Sequence, residues 1–445
     1  MLLPVWIAIT GLISGCDNTV HPGIDIIQIE GVSWACNVNT SYAVFGSSSE
    51  SEEHLEITIP ASEGDLLYML YDDLELYYRY SAQNGTQYSV SFDTLGAVSA
   101  YLNGRLSYME LSGPESFEVF QQLTETEITQ LYALLISDAL TDDLMSILKQ
   151  HETSLQGKGL ILEGSHETGK LNDLLTLVRP RFLVIDNFWH LPDPEENISL
   201  SSLELLWIDG NIPLLAKLAR CCNNLQSLIV AEWEPEEGEL LPLSGLDKLQ
   251  SLTIAESDLT TLSSVEFPES LQNLYLISCD TLSDISKLRK IQNLSRLSLT
   301  QCERIQGLDV LQELDLLQGV SFPPGISHKE FQELTDAMKL LEIVEIIDCP
   351  NIQDLSPLQG LPDLKILLLQ LEINQLNMLD SLDQVELVGL TSEVFEDNPE
   401  WIRELRISLP NTTIVPGSGI CLGSGWLLLL LPFILIFRYF FRKRT

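Results

Sequence analysis

Basic side chains are scarce in this 445-residue chain. Only 24 Lys and Arg stand against 64 Asp and Glu, a net charge of −40. Four of the 24 (Arg438, Arg442, Lys443 and Arg444) fall in the last eight positions, so the rest is more acidic still. Such a surface repels phosphate backbones and anionic lipid, which argues against nucleic acid as a partner. Histidine is scarcer: His21, His54, His151, His166, His190 and His328 are scattered, with no H-E-x-x-H spacing. None of the eight cysteines makes a C-x-x-C pair, and no G-x-S-x-G elbow occurs. Metal-ligand spacing and the nucleophile arrangement of a serine hydrolase are therefore missing. Carboxylates are too common for any two of them to mean much. The residues give no catalytic group, metal site or cofactor. What the chain does have is apolar residues, at 45%, enough to bury a core and to exclude wholesale disorder.

The two ends are apolar in different ways. Leu2–Ile13 is too short for a stable span and suits the core of a secretory signal. Ile13-Ser14-Gly15-Cys16 then resembles the lipobox of bacterial lipoproteins, although no Lys or Arg precedes the apolar run. That resemblance implies cleavage after residue 15 and lipidation of Cys16. The other reading is an ordinary secretory signal with an incidental Cys. At the far end, Ile420–Phe437 runs 18 residues without a charge, about 27 Å as a helix and close to a hydrocarbon core. The closing Arg-Lys-Arg places the C-terminus in the cytoplasm and the preceding chain outside it. Gly417, Gly419, Gly423 and Gly425, an apolar helix and a basic tail together resemble the GlyGly-CTERM class of bacterial sorting tags. That resemblance implies an intramembrane sorting protease as a partner; a plain type I anchor fits equally well.

Between the ends the chain repeats itself. L-x-x-L-x-L, with other aliphatics allowed, begins at Leu203/Leu206/Ile208 and returns at Leu225, Leu249, Leu271, Leu294, Leu317, Leu341 and Leu364. Successive first positions differ by 22, 24, 22, 23, 23, 24 and 23 residues. Leu382/Val385/Leu387 and Ile402/Leu405/Ile407 read as two shorter closing units. The pattern resembles the leucine-rich repeat family, whose unit is L-x-x-L-x-L-x-x-N/C-x-L. Asn211, Cys279, Cys302 and Cys349 each fall three residues after the third aliphatic. The resemblance implies that these four point inward as a structural ladder.

The stretch Gly164-Ser165-His166-Glu167-Thr168-Gly169-Lys170 matches G-x-x-x-x-G-K, the start of a phosphate-binding loop. Leu171 follows, where that loop needs Ser or Thr for Mg²⁺. Stepping the repeat backwards also gives Pro180/Leu183/Ile185 and Gly157/Leu160/Leu162. The flanking apolar runs are thus repeat strands in phase, with little room between them for a phosphate-binding helix.

Residues 16–123 read as a mainly-β module. His54–Pro60 alternates, and Asn84-Gly85 sits between alternating segments as a hairpin signal. A helical cap over 124–156 follows, with a capping box at Thr124 and Glu127 and a second helix over Thr141–Gln150. The expected fold is α/β: a leucine-rich repeat solenoid over 157–410, its parallel sheet on the concave face. A Gly-rich linker over 411–425 leads to a transmembrane helix over 426–441 and a basic tail.

Strand positions between the aliphatics face the concavity. They include Phe182, Val184, Trp207, Asp209, Ile229, Tyr275, Ile277, Arg296, Glu345, Ile347 and Leu368, with Trp233 at a strand end. The set is apolar for an exposed face and fits a protein or peptide ligand, with Phe182, Trp207, Asp209, Trp233, Tyr275, Arg296 and Glu345 as contacts. The expected function is binding, outside the cytoplasm, by a membrane-anchored protein. A structural spacer without a ligand, or an enzyme working through the N-terminal module, are the alternatives.

Overall fold

Leucine periodicity becomes strand register. In the computed structural model the second aliphatics of successive repeats stand side by side: Leu160, Leu183, Leu206, Leu228, Leu252, Leu274 and Leu297 pair as parallel partners. All are buried. A single strand of four or five residues has nothing to cover its leucines. The next strand and the returning segment supply that cover, so each repeat is stable only in the stack.

The structure describes the backbone of strands between Ile24 and Leu111 and then residues 113–416, apart from 132, 137–139, 163–167, 186–199, 211, 237, 391–393 and 395–396. Side chains are described from Met109 onward, with a few gaps. The expected signal, Cys16, Asn211, the glycine tag and the C-terminal apolar run lie outside the described residues. Among those residues no helix is long and apolar enough to cross a membrane.

The chain forms two compact units, one built mainly from Gln87–Leu316 and the other carrying Leu317–Thr445. In the first, parallel strands run from Arg105–Leu111 through Ala133–Ile136 and Gly159–Leu162 to Arg296–Ser298. The parallel run of the sheet therefore starts two strands ahead of Gly157. The segment 124–156, expected as a helical cap, contains the strand Ala133–Ile136, and helices return the chain to the sheet at Pro114–Gln122, inside the expected β module, and at Asp142–Gln150. Later returns shorten to 3-10 turns such as Ser286–Lys290. The expected capping box is present, with Thr124 N donating to Glu127 Oε2 at 2.7 Å and Glu127 N to Thr124 Oγ1 at 3.3 Å.

In the second unit, strands Gly319–Phe322, Ile343–Ile347, Ile366–Gln370, Leu387–Leu390 and Thr413–Pro416 are parallel neighbours. Two expectations shift here. Leu367 pairs with Val388, so that repeat is framed by Val385/Val388/Leu390, not by Leu382/Val385/Leu387. Ile402/Leu405/Ile407 is no strand but part of the helix Pro399–Ser408. Ile402 and Leu405 are buried one turn apart, while Ile407 is 73% exposed. A helix face and a repeat strand share the i, i+3 spacing, which is why the pattern matched.

Before Arg105 the described residues are strands, and the Asn84-Gly85 turn lies outside them. Leu76–Ser81 pairs antiparallel with Leu66–Tyr71, and Thr86–Phe92 with Val98–Leu102.

Candidate functional site: the strand face of the solenoid

The face opposite the leucine core carries three rows. Register places Ile161, Val184, Trp207, Ile229, Thr253, Tyr275 and Ser298 in the middle row of the first unit. Phe182, Leu205, Ser227, Ser251, Asn273 and Arg296 form one edge. Asp209, Ala231, Ala255 and Ile277 form the other. The middle row is buried along its whole length, with Trp207 1% and Tyr275 2% exposed. Glu345, Ile347 and Leu368, on the same face of the second unit, are buried too. Alternation predicted which side of the sheet these residues take. It carries no information on whether that side meets water. The surface it offers to solvent is at the edges: Phe182, Asp209, Ile277 and Arg296 are partly exposed.

Two aromatic side chains lie along the sheet. Trp207 Nε1 donates to Asp209 Oδ1 at 2.6 Å, within the same strand. The ring of Phe182 crosses the backbone of Gly159 on the neighbouring strand, where a Cβ would sit 1.9 Å from Phe182 Cζ. Only glycine leaves that space. Gly159→Ala is expected to lower stability by about 2 kcal/mol, because the ring must leave its place or the strands must part. In urea unfolding, the double variant with Phe182→Ala should lose less than the two single losses combined. Strict additivity would show that the ring is not held there.

Trp233 is off this face. It occupies the inward position three residues after Val230, is 1% exposed, and donates from Nε1 to Glu239 Oε2 at 3.2 Å. The same column holds Ser257, Cys279 and Cys302, and Cys349 takes the equivalent place in a repeat of the second unit. Ser257 Oγ donates to Ala255 O at 2.9 Å and accepts from Trp233 N at 3.0 Å. Cys279 Sγ reaches Ile254 O at 3.6 Å, Cys302 Sγ reaches Leu276 O at 3.5 Å, and Cys349 Sγ reaches Ile347 O at 3.2 Å. Each thiol offers a donor to a carbonyl near the end of a strand, at a residue that is buried. Burial pushes the Cys349 thiol up to about 12, and the Cys279 thiol beside it, together with burial, raises that of Cys302. Both stay protonated at neutral pH.

The residue before each of these positions is left-handed. Gly210, Glu232, Glu256, Ser278 and Gln301 have φ between 50° and 56° in the first unit, or 49° at Glu256, and Asp348 has 51° in the second. Their amides turn to the next strand: Glu232 N donates to Ala255 O and Glu256 N to Ile277 O, both at 2.9 Å. This conformation costs an L-residue roughly 1–2 kcal/mol. The bond across to the next repeat and the inward donor that follows hold it in place.

The G-x-x-x-x-G-K stretch is not wholly a loop. A helix covers Thr168–Val178, so the spacing between the strands does leave room for one. Lys170 lies in its first turn, 3.1 Å from Asp142 Oδ1. This lysine is engaged by the preceding helix, and Asp142 is exposed, so the pair contributes little. Lys170→Ala is expected to change stability by less than about 1 kcal/mol. Equilibrium binding of a fluorescent ATP analogue should be absent before and after the change. Among the described residues no group of three or more His, Cys, Asp or Glu is placed to hold a metal ion.

No protein-family model matches the chain, and no curated protein matches it. Solved structures do. An internalin of Listeria monocytogenes is 17% identical, covers 70% of this chain and 90% of its own, and superposes with a TM-score of 0.37. A leucine-rich repeat protein of Leptospira interrogans is 17% identical, covers 67% and 94%, with a TM-score of 0.35. Mouse RP105 in complex with MD-1 is 18% identical, covers 65% and 59%, with a TM-score of 0.37. The fold of each unit rests on its own geometry: a leucine-rich repeat solenoid with a parallel sheet.

Proposed function

We propose that this chain is an exported, membrane-anchored leucine-rich repeat protein that binds other proteins or peptides by the strand face and performs no catalysis. The supporting observation is the arrangement of that face. Two edges, part-exposed at Phe182 and Arg296 on one and at Asp209 and Ile277 on the other and buried from Leu205 to Ser251 and at Ala231 and Ala255, flank a buried row that includes Val184, Trp207, Ile229 and Tyr275. Large aromatics and an arginine are the residues that dominate protein contacts. Their partner groups are reached first at the edges. Trp207 and Tyr275 form the floor between them and enter a contact only if the row opens.

Export and anchoring rest on the apolar ends. A lipidated Cys16, a span near 426–441 and a cytoplasmic C-terminus together put the bulk of the chain in the periplasm or outside the cell. An intramembrane sorting protease then acts on the glycine tag. Mass spectrometry of the mature protein tests this directly: intact 1–15 and 420–445 in the purified product would remove both processing steps.

The buried middle row favours a second reading, in which the array is a spacer of the cell envelope with no ligand. Crosslinking in intact cells separates the two. Wild type and a Phe182→Ala/Arg296→Glu variant are compared under conditions in which both are fully folded. Protein adducts that disappear in the variant support binding; adducts identical in both, or none, support the spacer.

A further inference from the structure

The inward column contains one place where two thiols fall on successive rungs. Cys279 and Cys302 occupy equivalent positions in neighbouring repeats, 23 residues apart, and both are fully buried. The residues just before them already touch, Ser278 Oγ donating to Gln301 Oε1 at 2.7 Å. Their backbones are joined as well, with Ser278 N donating to Thr300 O at 3.0 Å. Neighbouring strands of a sheet lie about 4.8 Å apart, within the Cα separation that a disulfide spans. Cys302 Sγ also leans back towards the rung that holds Cys279, reaching Leu276 O in that repeat. The Cys279 thiol stands close enough to that of Cys302 to hold it, together with burial, in its protonated form. Cys349 is the contrast: it is equally buried, but the equivalent positions on either side are Gly325 and Glu372.

We infer that Cys279 and Cys302 are a disulfide-forming pair, which clamps two adjacent repeats when the chain folds in the presence of a disulfide oxidant such as oxidised glutathione. One thiolate attacks the oxidant and releases one glutathione thiol, leaving a mixed disulfide. The second cysteine displaces the other glutathione. The two protein thiols lose two protons and two electrons, and the oxidant's disulfide is reduced to two thiols. Burial dictates when this happens: the pair is reached by the oxidant during folding and is sealed afterwards. The clamp replaces two thiol donors, at Ile254 O and Leu276 O, by one covalent link between the repeats that carry them.

The test refolds the full-length chain with a mixture of oxidised and reduced glutathione, and in parallel with reductant only. Each sample is denatured in acid, alkylated and digested, and the peptides are read by mass spectrometry. The expected result is a linked Cys279–Cys302 peptide in the oxidised sample, with Cys349 alkylated in both. Ser257 shows that the column accepts serine, so Cys302→Ser is built as a variant that keeps the donor. The wild type should unfold at a higher temperature oxidised than reduced, by several degrees, and Cys302→Ser should show no such difference. Cys279 and Cys302 alkylated as fully as Cys349 in the oxidised sample, or linked to other cysteines instead, would overturn the inference.

Discussion

Replacing Trp207 by alanine is expected to destabilise the first unit by about 4 kcal/mol, in the range of buried aromatic truncations. The side chain is 1% exposed, flanked in its row by Val184 and Ile229, and tied by Nε1 to Asp209 Oδ1. Alanine leaves the volume of an indole empty between two β-branched neighbours that have no freedom to fill it. It also strips Asp209 of a donor. Trp207→Phe separates the two losses, since it keeps most of the apolar volume and removes only the hydrogen bond; about 1–2 kcal/mol is expected. Urea unfolding followed by far-UV circular dichroism measures both. The result bears on function as well. A surface residue waiting for a ligand changes stability by no more than about 0.5 kcal/mol when truncated. A midpoint unchanged in Trp207→Ala would therefore return this residue to the role of an exposed anchor.

Gln375→Leu is expected to cost about 3 kcal/mol, although leucine has a similar size and is better suited to a core. Gln375 is buried, and its amide does three things at once. Nε2 donates to Ile352 O at 2.6 Å and to Cys349 O at 3.2 Å, and Oε1 accepts from Glu372 N at 3.0 Å. Leucine would leave Ile352 O and Glu372 N without the partner that Gln375 gives them, and would take one of the two donors from Cys349 O, which keeps Ile352 N at 3.3 Å. Glutamate is worse, since its carboxylate would face carbonyl oxygens. Hydrogen exchange gives the sharper readout: amides of strands Ile343–Ile347 and Ile366–Gln370 should lose protection, while Ser227–Ala231 and Ser251–Ala255 keep theirs. Uniform loss across all four strands would mean that Gln375 supports more than its own turn.

Gln375 also marks the limit of what spacing reveals. The column position after Leu369 is Glu372, which is exposed. The inward donor has moved three residues on, to a side chain long enough to reach back to the preceding turn. A fixed-offset search misses it. The same holds for Ser257 and Trp233, which occupy the column without being Asn or Cys. Register in the regular part was legible because leucine spacing and strand pairing are the same fact. Two earlier units were legible but overlooked: Leu106/Met109/Leu111 and Leu131/Leu134/Ile136 obey L-x-x-L-x-L, at steps of 25 and 26 from one first position to the next, ending at Gly157. Helical returns make those steps longer, and Ile128, Leu131 and Leu135 keep helical spacing although the helix ends at Gln130 and a strand begins at Ala133. The candidate face was half legible. Alternation assigned Trp207, Tyr275 and Glu345 to one side of the sheet, but it does not encode that this side is buried.

The left-handed column has a wider consequence. Gly, Glu, Glu, Ser, Gln and Asp occupy one conformation at Gly210, Glu232, Glu256, Ser278, Gln301 and Asp348. Glycine alone suits that backbone without penalty. The array nonetheless sets the bend by the amide that Gly210, Glu232, Glu256, Ser278 and Asp348 send to the next strand, and the side chains here lie at least partly in solvent. The corner is therefore specified by backbone and by the inward donor behind it, and is indifferent to the chemistry displayed outside. Such a lattice can take on charge one corner at a time. An excess of 40 acids over bases can accumulate on its rim while the register inside stays fixed.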